Sequence, residues 1–309
     1  MISFLKLIRY KNLFMVLLTM VLTKYALIQS YIYLSYLSNL EFITLVLSVV
    51  LITAGGYIIN DIFDIEADKI NKPNKVFIES TISLKNAWIS YFFLTFFGLI
   101  LGICLSFLKE FPNYSFVFLG TVFGLFLYSK FLKRLPLIGN LVVSFFIGLT
   151  IYIVYIFDFK YIPDSYLSFD QLTNSVFHFQ VWVNLIIYVF FAFIINLVRE
   201  IIKDIEDING DNTLKIKTLP ILFGRKRAKN IAVFISLILL ISLIQISKNH
   251  IYNFPLLLGY CFIAILAPLS YFIYRLWIAK TKKHYSFLSN LMKVIMFFGI
   301  LSMLLFKFQ

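Results

Sequence analysis

Long apolar runs recur along the whole chain, and they constrain its fold more than any other feature of the sequence. Most approach the roughly 20 residues that a helix needs to cross a hydrocarbon core about 30 Å thick. With 61% of its 309 residues hydrophobic and only 14% charged, the chain has too little polar surface for a soluble domain. Backbone in lipid must satisfy its own hydrogen bonds, so the runs are expected to be helices. We predict an all-α polytopic membrane protein with about nine transmembrane helices, at residues 13–36, 42–59, 87–108, 116–131, 137–157, 181–198, 231–246, 254–278 and 287–306.

The lysines and arginines are distributed unevenly between the two sides of this nine-helix arrangement. Most of them lie in the N-terminal tail and in the even-numbered connections, and the opposite side receives only Lys109, Lys160, Lys248 and Lys307. The positive-inside rule then places the N-terminus and the even-numbered connections on the cytoplasmic side. For a prokaryotic protein, the membrane that the chain spans is expected to be the cell (inner) membrane. The net charge of +13 therefore reports orientation in the membrane, and nucleic acid is not expected as a partner.

An acidic motif occurs twice, each time just after an apolar run. Residues 61–68 read DIFDIEAD and residues 204–211 read DIEDINGD, so both copies share the pattern D-I-x-D-I-x-x-D. Each copy follows the second helix of a group of four. This internal repeat predicts a single domain built from two four-helix pseudo-repeats, at residues 1–136 and 137–280, with a ninth helix at residues 281–309.

The spacing of the aspartates predicts that each copy presents them on one helical face. Residues at i, i+3 and i+7 lie on the same side of a helix. In the first copy Asn60, Asp64 and Asp68 are spaced at i, i+4 and i+8, so Asn60 lies on the same face as these aspartates. In the second copy Asn196 and Glu200 continue the face of the aspartates backwards into the apolar run. The two predicted stripes are Asp61, Asp64 and Asp68, and Asp204, Asp207 and Asp211.

Carboxylates gathered in this way repel one another unless a cation lies between them. Oxygen ligands with no histidine or cysteine nearby suit a hard divalent ion such as Mg²⁺, which also binds substrate phosphate oxygens. A single acidic run beside a membrane is often a solvated face, but two copies with the same spacing favour a binding site. The motifs therefore predict a magnesium site that holds a polyphosphate.

Basic residues near the two motifs are candidates for binding that diphosphate, because it needs cations on the sides that the metal leaves open. Membrane topology alone also places positive charge in these loops. The candidates are Lys69, Lys72 and Lys75 after the first motif, Lys130, Lys133 and Arg134 in the fourth connection, and Arg199 and Lys203 beside the second motif.

The paired motifs resemble those of the UbiA-type superfamily of intramembrane prenyltransferases. The likeness rests on the spacing of Asn60, Asp64 and Asp68 followed by Asn-Lys-Pro at residues 71–73, and on the stretch REIIKDIEDINGD at residues 199–211. Weaker similarities are the sequence RYKN at residues 9–12, Tyr128 and Ser129 with the basic cluster after them, and Gly139 and Asn140. Together these features extend the resemblance over nearly the full chain.

The resemblance implies that an isoprenyl diphosphate binds between the two motifs through Mg²⁺, with its tail in the helical bundle. It assigns metal binding to Asn60, Asp64, Asp68, Asp207 and Asp211, with Asp61 and Asp204 as assisting catalytic residues. It implies diphosphate binding by Asn60, Lys72, Lys75, Tyr128, Lys130, Lys133, Arg199 and Lys203, and further site roles for Asn12 and Glu200. Two departures from the family pattern bear on Lys75, Lys130 and Lys133. The family often has Arg-Pro where this chain has Asn74-Lys75-Val76, and Lys130 and Lys133 lie two and five residues after Tyr128, whereas some members have a four-residue spacing.

The second motif looks most like the branch that transfers a prenyl group to geranylgeranylglyceryl phosphate in ether-lipid synthesis. Branches that prenylate aromatic quinone precursors remain alternatives, and the haem-farnesylating branch fits the first motif less well. The expected partners are therefore a prenyl diphosphate donor, a lipid or aromatic acceptor and membrane lipids.

Two other classes of protein compete with a prenyltransferase. An ion-coupled transporter predicts acids near the middle of the membrane, whereas these acids lie at the ends of apolar runs. A catalytically silent lipid-binding protein would not need every motif aspartate.

Cys104 and Cys261 lie inside apolar runs and support neither a disulfide framework nor a thiolate metal site. Lys24 and Lys293, inside the first and last runs, have no role that the sequence assigns.

Overall fold

The computed structural model describes residues 2–31, 36–73, 76–158, 170–213, 216–251 and 254–308, of which residues 170–178, 250 and 251 are described as backbone only. These residues form helices and turns, and the only β pairing among them is one isolated bridge between Ile78 and Ile82. The prediction of an all-α chain is confirmed. Its α-helices are α1 (Ile2–Leu7), α2 (Tyr10–Leu22), α3 (Asn39–Asn71), α4 (Leu84–Leu108), α5 (Ser115–Lys130), α6 (Ile138–Asp158), α7 (Asp170–Thr213), α8 (Leu219–Phe223), α9 (Arg225–Ile246), α10 (Pro255–Tyr260), α11 (Ala267–Ile278) and α12 (Lys282–Leu301).

Eight helical segments in the described part of the chain are long and apolar enough to cross a membrane. The expected count was about nine, and the difference is α5, which has only 16 residues and falls short of the roughly 20 that a span needs. A polytopic membrane protein is thereby confirmed. The eight segments are Tyr10–Ile28, Asn39–Asn71, Leu84–Leu108, Ile138–Asp158, Phe179–Thr213, Arg225–Asn249, Pro255–Ile278 and Lys282–Phe308.

Helices α3 and α7 are longer than a membrane span and carry the two acidic motifs in their last turns. Helix α3 has 33 residues and begins at a capping box, in which Ser38 and Glu41 satisfy each other's backbone N–H groups. Helix α7 has 44 residues. At 1.5 Å per residue both exceed a hydrocarbon core of about 30 Å. The aspartates are therefore continuous with membrane helices, as the spacing predicts.

The chain packs as two compact units, each assembled from three stretches of sequence. Unit 1 comprises Met1–Leu17, Ser38–Phe146 and Asp207–Arg225, and unit 2 comprises Leu18–Leu37, Ile147–Glu206 and Lys226–Gln309. One of the points at which the chain passes from one unit to the other lies inside α7, between Glu206 and Asp207. The division into two pseudo-repeats, at residues 1–136 and 137–280, and a ninth helix, at residues 281–309, stays a prediction.

In unit 1, helices α3 and α4 approach closely where the facing residues are small. The Ser48 hydroxyl donates to the Gly98 carbonyl oxygen at 2.7 Å. A Cβ at Gly98 would lie 2.8 Å from Ile52 Cγ1, so only glycine permits this separation. Close approach at small residues is how membrane helices gain packing energy, because lipid offers no hydrophobic driving force between them.

The isoleucines of the first motif explain its alternating pattern. Ile62 and Ile65 are buried in a cluster with Leu7, Ile58 and Tyr91. The aspartates between them are only partly buried. The D-I-x-D-I pattern thus fixes the rotation of α3, with isoleucines facing the core of unit 1 and carboxylates facing away from it.

Unit 2 contains a fully buried ion pair that accounts for Lys24. The Lys24 ammonium lies 3.2 Å from Asp158 Oδ1, and both side chains have 0% exposure. Lys24 also donates to the Leu37 carbonyl oxygen at 2.7 Å, and the Leu37 N–H donates to Asp158 at 2.9 Å. The pair therefore joins the first membrane-crossing segment (Tyr10–Ile28), the residues before α3 and the end of α6, which is a structural role. Lys293 lies exposed on α12.

Candidate active site

Two carboxylates of the first motif, Asp61 and Asp64, bind polar partners within unit 1. Lys133 donates to Asp64 Oδ1 at 2.6 Å, and the Asn60 amide donates to Asp64 Oδ2 at 2.9 Å. Arg9 donates to Asp61 Oδ1 at 2.6 Å. The structure thus brings Asn60, Asp61, Asp64 and Lys133 together, as the sequence predicts.

The second motif meets the first through two contacts between the ends of α3 and α7. The Lys72 ammonium, just after α3, donates to Asp207 Oδ2. The N–H of Gly210 donates to Asn71 Oδ1 at 2.9 Å. These contacts join residues 135 and 139 positions apart in sequence, so Asp207 and Gly210 of the second copy lie against the end of the first copy's helix within unit 1.

Gly210 is required by this close approach. A Cβ at this position would lie 2.4 Å from the Asn71 amide nitrogen, a distance that no real contact allows. The glycine in D-I-N-G-D therefore has a packing role, which the sequence pattern did not reveal.

Asp68 and Asp211 complete the cluster. The Asp211 carboxylate interacts electrostatically with Asp207, Asp64 and Asp68 and also with Lys72. Asp68 in turn interacts with Asp61, Asp64, Lys72 and Arg9. The described side chains of the cluster thus combine five carboxylates with three cations. A surplus of negative charge at short range favours an added cation.

Asp207 has a carboxylate oxygen suited to a metal ion. Its Oδ1 atom is buried and, among the described residues, has no hydrogen-bond partner. A buried carboxylate oxygen without a donor is costly and is satisfied by a cation. In the same part of the chain no three acidic, histidine or cysteine side chains form a ready-made metal cluster. This arrangement fits Mg²⁺, which takes one or two carboxylates and completes its shell with waters and substrate phosphate oxygens.

Arg9 belongs to this site, although the sequence analysis did not include it among the site residues. It lies between α1 and α2 with φ of +52°, a backbone conformation that non-glycine residues rarely adopt and that often marks functional positions. Its guanidinium contacts Asp61 and lies over the Tyr57 ring at 5.0 Å. Burial lowers the pKa of Arg9, and the Asp61 carboxylate raises it. The net shift of the pKa is upward, so the group is a permanent cation.

Unit 2 carries the expected residues that precede Asp207 on α7. Arg199 and Lys203 both bind the buried Glu200 carboxylate, at 2.7 Å and 2.9 Å. The Arg199 Nε atom is buried and has no hydrogen-bond acceptor among the described residues. Asp204 is partly buried on the same helix. The group thus offers a cationic donor that a phosphate oxygen would satisfy.

Of four further expected site residues, three are described by the structure and one is not. Lys130 is exposed, and its ammonium lies over the rings of Phe126 and Phe131 at 5.7 Å and 5.0 Å. Tyr128 is partly buried on α5. The backbone N–H of Asn12 donates to the Arg9 carbonyl oxygen at 2.7 Å. Lys75 lies outside the described residues, and the roles of all four stay predictions.

Unit 2 also encloses an apolar cavity of about 210 Å³. It is lined by the first half of α7 together with residues from α9 to the C-terminal end of the chain. Four of its polar side chains pair within its wall: Tyr188 with Ser302 at 2.6 Å, and Asn184 with Tyr31 at 3.1 Å. A cavity with this lining is suited to an alkyl or isoprenoid chain.

Comparison with known proteins identifies relatives over most of the chain. The model of the UbiA prenyltransferase family matches residues 12–300. The digeranylgeranylglyceryl phosphate synthase of Methanosphaera stadtmanae is 33% identical over 267 residues, which cover 85% of this chain and 87% of that protein. The enzyme of the same name from Saccharolobus solfataricus is 36% identical over 62% of this chain and 60% of its own length.

Solved structures share the fold. One, described as digeranylgeranylglyceryl phosphate synthase in membranes, superposes with a TM-score of 0.64 at 23% identity and covers 98% of both chains. Another, a UbiA homologue from Archaeoglobus fulgidus bound to GPP and Mg²⁺, has a TM-score of 0.61 at 15% identity. It covers 97% of this chain and 99% of that one. At these identities the likeness establishes the fold alone.

Proposed function

The chain belongs to the UbiA prenyltransferase family, and on that premise we propose that it transfers a prenyl group from a prenyl diphosphate to geranylgeranylglyceryl phosphate within the membrane, in a Mg²⁺-dependent reaction. The observation that carries the proposal is the contact between the ends of α3 and α7, which supports a shared site that draws carboxylates from both acidic motifs. The relatives named digeranylgeranylglyceryl phosphate synthase support this acceptor.

The carboxylates and Asn60 would hold the metal. Asp64, Asp68, Asp207 and Asp211 would supply oxygen ligands, and the buried Asp207 Oδ1 atom has a lone pair available. Bound Mg²⁺ supplies positive charge that stabilises the departing diphosphate. Asp61 forms an ion pair with Arg9. It would assist the reaction by holding the Arg9 cation at the edge of the carboxylate cluster.

The lysines and arginines of the site would bind the diphosphate. Lys72 and Lys133 already contact motif carboxylates, so a phosphate bound between the motifs lies within reach of both ammonium groups. In unit 2, Arg199, with an unsatisfied Nε atom, and Lys203, which shares its Glu200 partner, stay candidate diphosphate-binding residues. Fixed cations aimed at developing negative charge are worth more in a site that excludes water than in solvent.

The reaction then follows from the substrate chemistry. The bond between the allylic carbon and the diphosphate oxygen breaks, and the diphosphate leaves with the electron pair. The acceptor hydroxyl oxygen forms a new C–O bond to the allylic carbon, and the departing diphosphate takes the hydroxyl proton. The surrounding apolar helices would exclude water from the carbon centre and so prevent hydrolysis. The cavity of unit 2 would take an isoprenoid chain.

The positive-inside rule supports an N-terminus and active-site loops on the cytoplasmic side of a prokaryotic cell membrane. An ion-coupled transporter is set aside, because the chain belongs to a family of prenyltransferases. Quinone precursors are the acceptors against which the proposal is tested.

The test is product detection by mass spectrometry. Purified protein, Mg²⁺ and geranylgeranyl diphosphate are incubated in parallel with geranylgeranylglyceryl phosphate and with dihydroxynaphthoate. A prenylated glycerol lipid in the first reaction alone supports the proposed acceptor. A prenylated naphthoate instead would show that the acceptor is a quinone precursor.

A further inference from the structure

Residues 212–309 contain no acidic residue. Asp211 is the final aspartate or glutamate, whereas lysines and arginines continue to the end of the sequence. Positive charge in this region is therefore not neutralised by acids nearby in sequence. The question is where the structure gathers it and what it faces.

The structure gathers much of this charge in one patch on unit 2, which we call the basic patch. It consists of the first turn of α9 and the turn from α11 into α12. Two hydrogen bonds hold these segments together: Lys229 donates to the carbonyl oxygens of Trp277 at 2.9 Å and Ala279 at 3.4 Å. The cations of the patch are Lys226, Arg227, Lys229, Arg275, Lys280, Lys282 and Lys283.

The turn that carries the patch is fixed in place. The buried Tyr285 hydroxyl donates to the Ala279 carbonyl oxygen at 3.3 Å. Thr281 caps α12 by accepting from the N–H of His284. Because the backbone is held at both points, the cations are presented in a constant arrangement.

Four of these cations face outward without an ion-pair partner. Lys226, Arg227, Lys280 and Lys283 are exposed, and in the part of the chain that the structure describes none of them lies in an ion pair. The positive charge of these four side chains is therefore balanced by groups outside the described part of the protein.

Large exposed aromatic rings border the patch. Trp277 is 64% exposed, Tyr274 61% and Phe287 45%. Arg275 lies over the Tyr271 and Phe287 rings at 5.7 Å and 5.3 Å. Exposed tryptophan and tyrosine beside cations, at the ends of membrane helices, is the composition of a surface at the level of the lipid headgroups.

We propose that the basic patch binds the headgroups of anionic membrane lipids. Clusters of four to eight cations just outside a membrane helix attract anionic lipids, and each cation contributes through its charge near the surface. The lipid phosphates would lie against Lys226, Arg227, Lys280 and Lys283, and the acyl chains against the exposed rings. This binding is separate from the proposed prenyl transfer and does not depend on it.

Native mass spectrometry tests the proposal with the full chain in detergent and an equimolar mixture of phosphatidylglycerol and phosphatidylcholine with matched acyl chains. We expect phosphatidylglycerol to be retained about tenfold or more over phosphatidylcholine. The variant Lys226→Gln/Arg227→Gln/Lys283→Gln should lose that preference. The matched variant Lys6→Gln/Lys11→Gln/Lys85→Gln, which removes three exposed cations of unit 1, should keep it.

Equal retention of both lipids by the wild-type protein, or equal loss in both variants, would overturn the proposal. A salt titration of the wild-type protein tests, without any variant, whether the lipid preference is electrostatic. Added salt screens the charges and should reduce the preference for the anionic lipid. Inorganic diphosphate provides the last arm. We expect it to leave the lipid in place, and displacement at micromolar concentration would assign the patch to soluble phosphates.

Discussion

The Asn71 side-chain oxygen accepts a hydrogen bond from the backbone N–H of Gly210 at 2.9 Å, which fastens the last residue of α3 to the last turns of α7. Lys72, the next residue, binds Asp207. Two segments that are far apart in sequence are thereby locked in a fixed register. This register places the carboxylates of both motifs opposite each other.

Replacing Gly210 by alanine should disrupt that register. The new Cβ would meet the Asn71 amide at 2.4 Å, and overpacking of this kind costs about 1–3 kcal/mol. We expect a lower apparent melting temperature in detergent and reduced turnover. In an Asn71→Ala background the same substitution should cost much less, because the obstructing group is gone. An equal cost in both backgrounds would show that the clash is not the cause.

Breaking the buried pair of Lys24 and Asp158 should destabilise unit 2. Lys24→Met leaves a carboxylate with 0% exposure without its counter-ion, and such a loss costs about 3–5 kcal/mol. The double variant Lys24→Met/Asp158→Leu removes both charges and should recover most of the melting temperature. If Lys24→Met alone melts at the wild-type temperature, the pair has no structural role.

Filling the cavity of unit 2 should alter the preference for chain length. Cys261 lines the cavity, so Cys261→Phe shortens the space available to an isoprenoid chain. We expect turnover of geranylgeranyl diphosphate to fall about tenfold relative to geranyl diphosphate. Ile263→Phe is the control, because Ile263 lies in the same turn with 74% exposure. An unchanged ratio for Cys261→Phe would mean that the cavity does not hold the donor chain.

The orientation of the chain can be checked at Lys280, which is exposed at the turn between α11 and α12. A Lys280→Cys variant in a Cys104→Ser/Cys261→Ser background should react with an impermeant thiol reagent only from the cytoplasmic side. The same reagent at Lys109→Cys should label only from the opposite side. Reaction of Lys280→Cys in intact cells would reverse the proposed topology.

Several features of the fold follow from the sequence because they depend on local periodicity. Apolar runs of membrane length fix the helices, and the D-I-x-D-I pattern fixes which side of α3 is buried, with Ile62 and Ile65 in the core. The repeated motif also identified Asp64 and Asp207 as candidates for one site. Each of these inferences needs only neighbouring residues on one helix.

Other features were not accessible because they join distant residues. Nothing near Lys24 in sequence indicates Asp158, and nothing near Asp61 indicates Arg9, whose contact crosses 52 residues. The fit of Gly210 against Asn71 likewise appears only once α3 and α7 are placed. The surroundings of Lys130 were equally inaccessible: its ammonium lies over the Phe126 and Phe131 rings, and its diphosphate contact stays a prediction.

The most direct test of a single site built from both motifs is to remove one carboxylate from each in turn. Asp64→Asn and Asp207→Asn should each lower prenyl transfer at saturating Mg²⁺ at least about a hundredfold, since either loss removes charge that stabilises the leaving diphosphate. Glu66→Gln, an exposed position in the same stretch of α3, should keep wild-type turnover. Wild-type turnover in either aspartate variant, with the protein folded in detergent, would contradict a site shared by the two motifs.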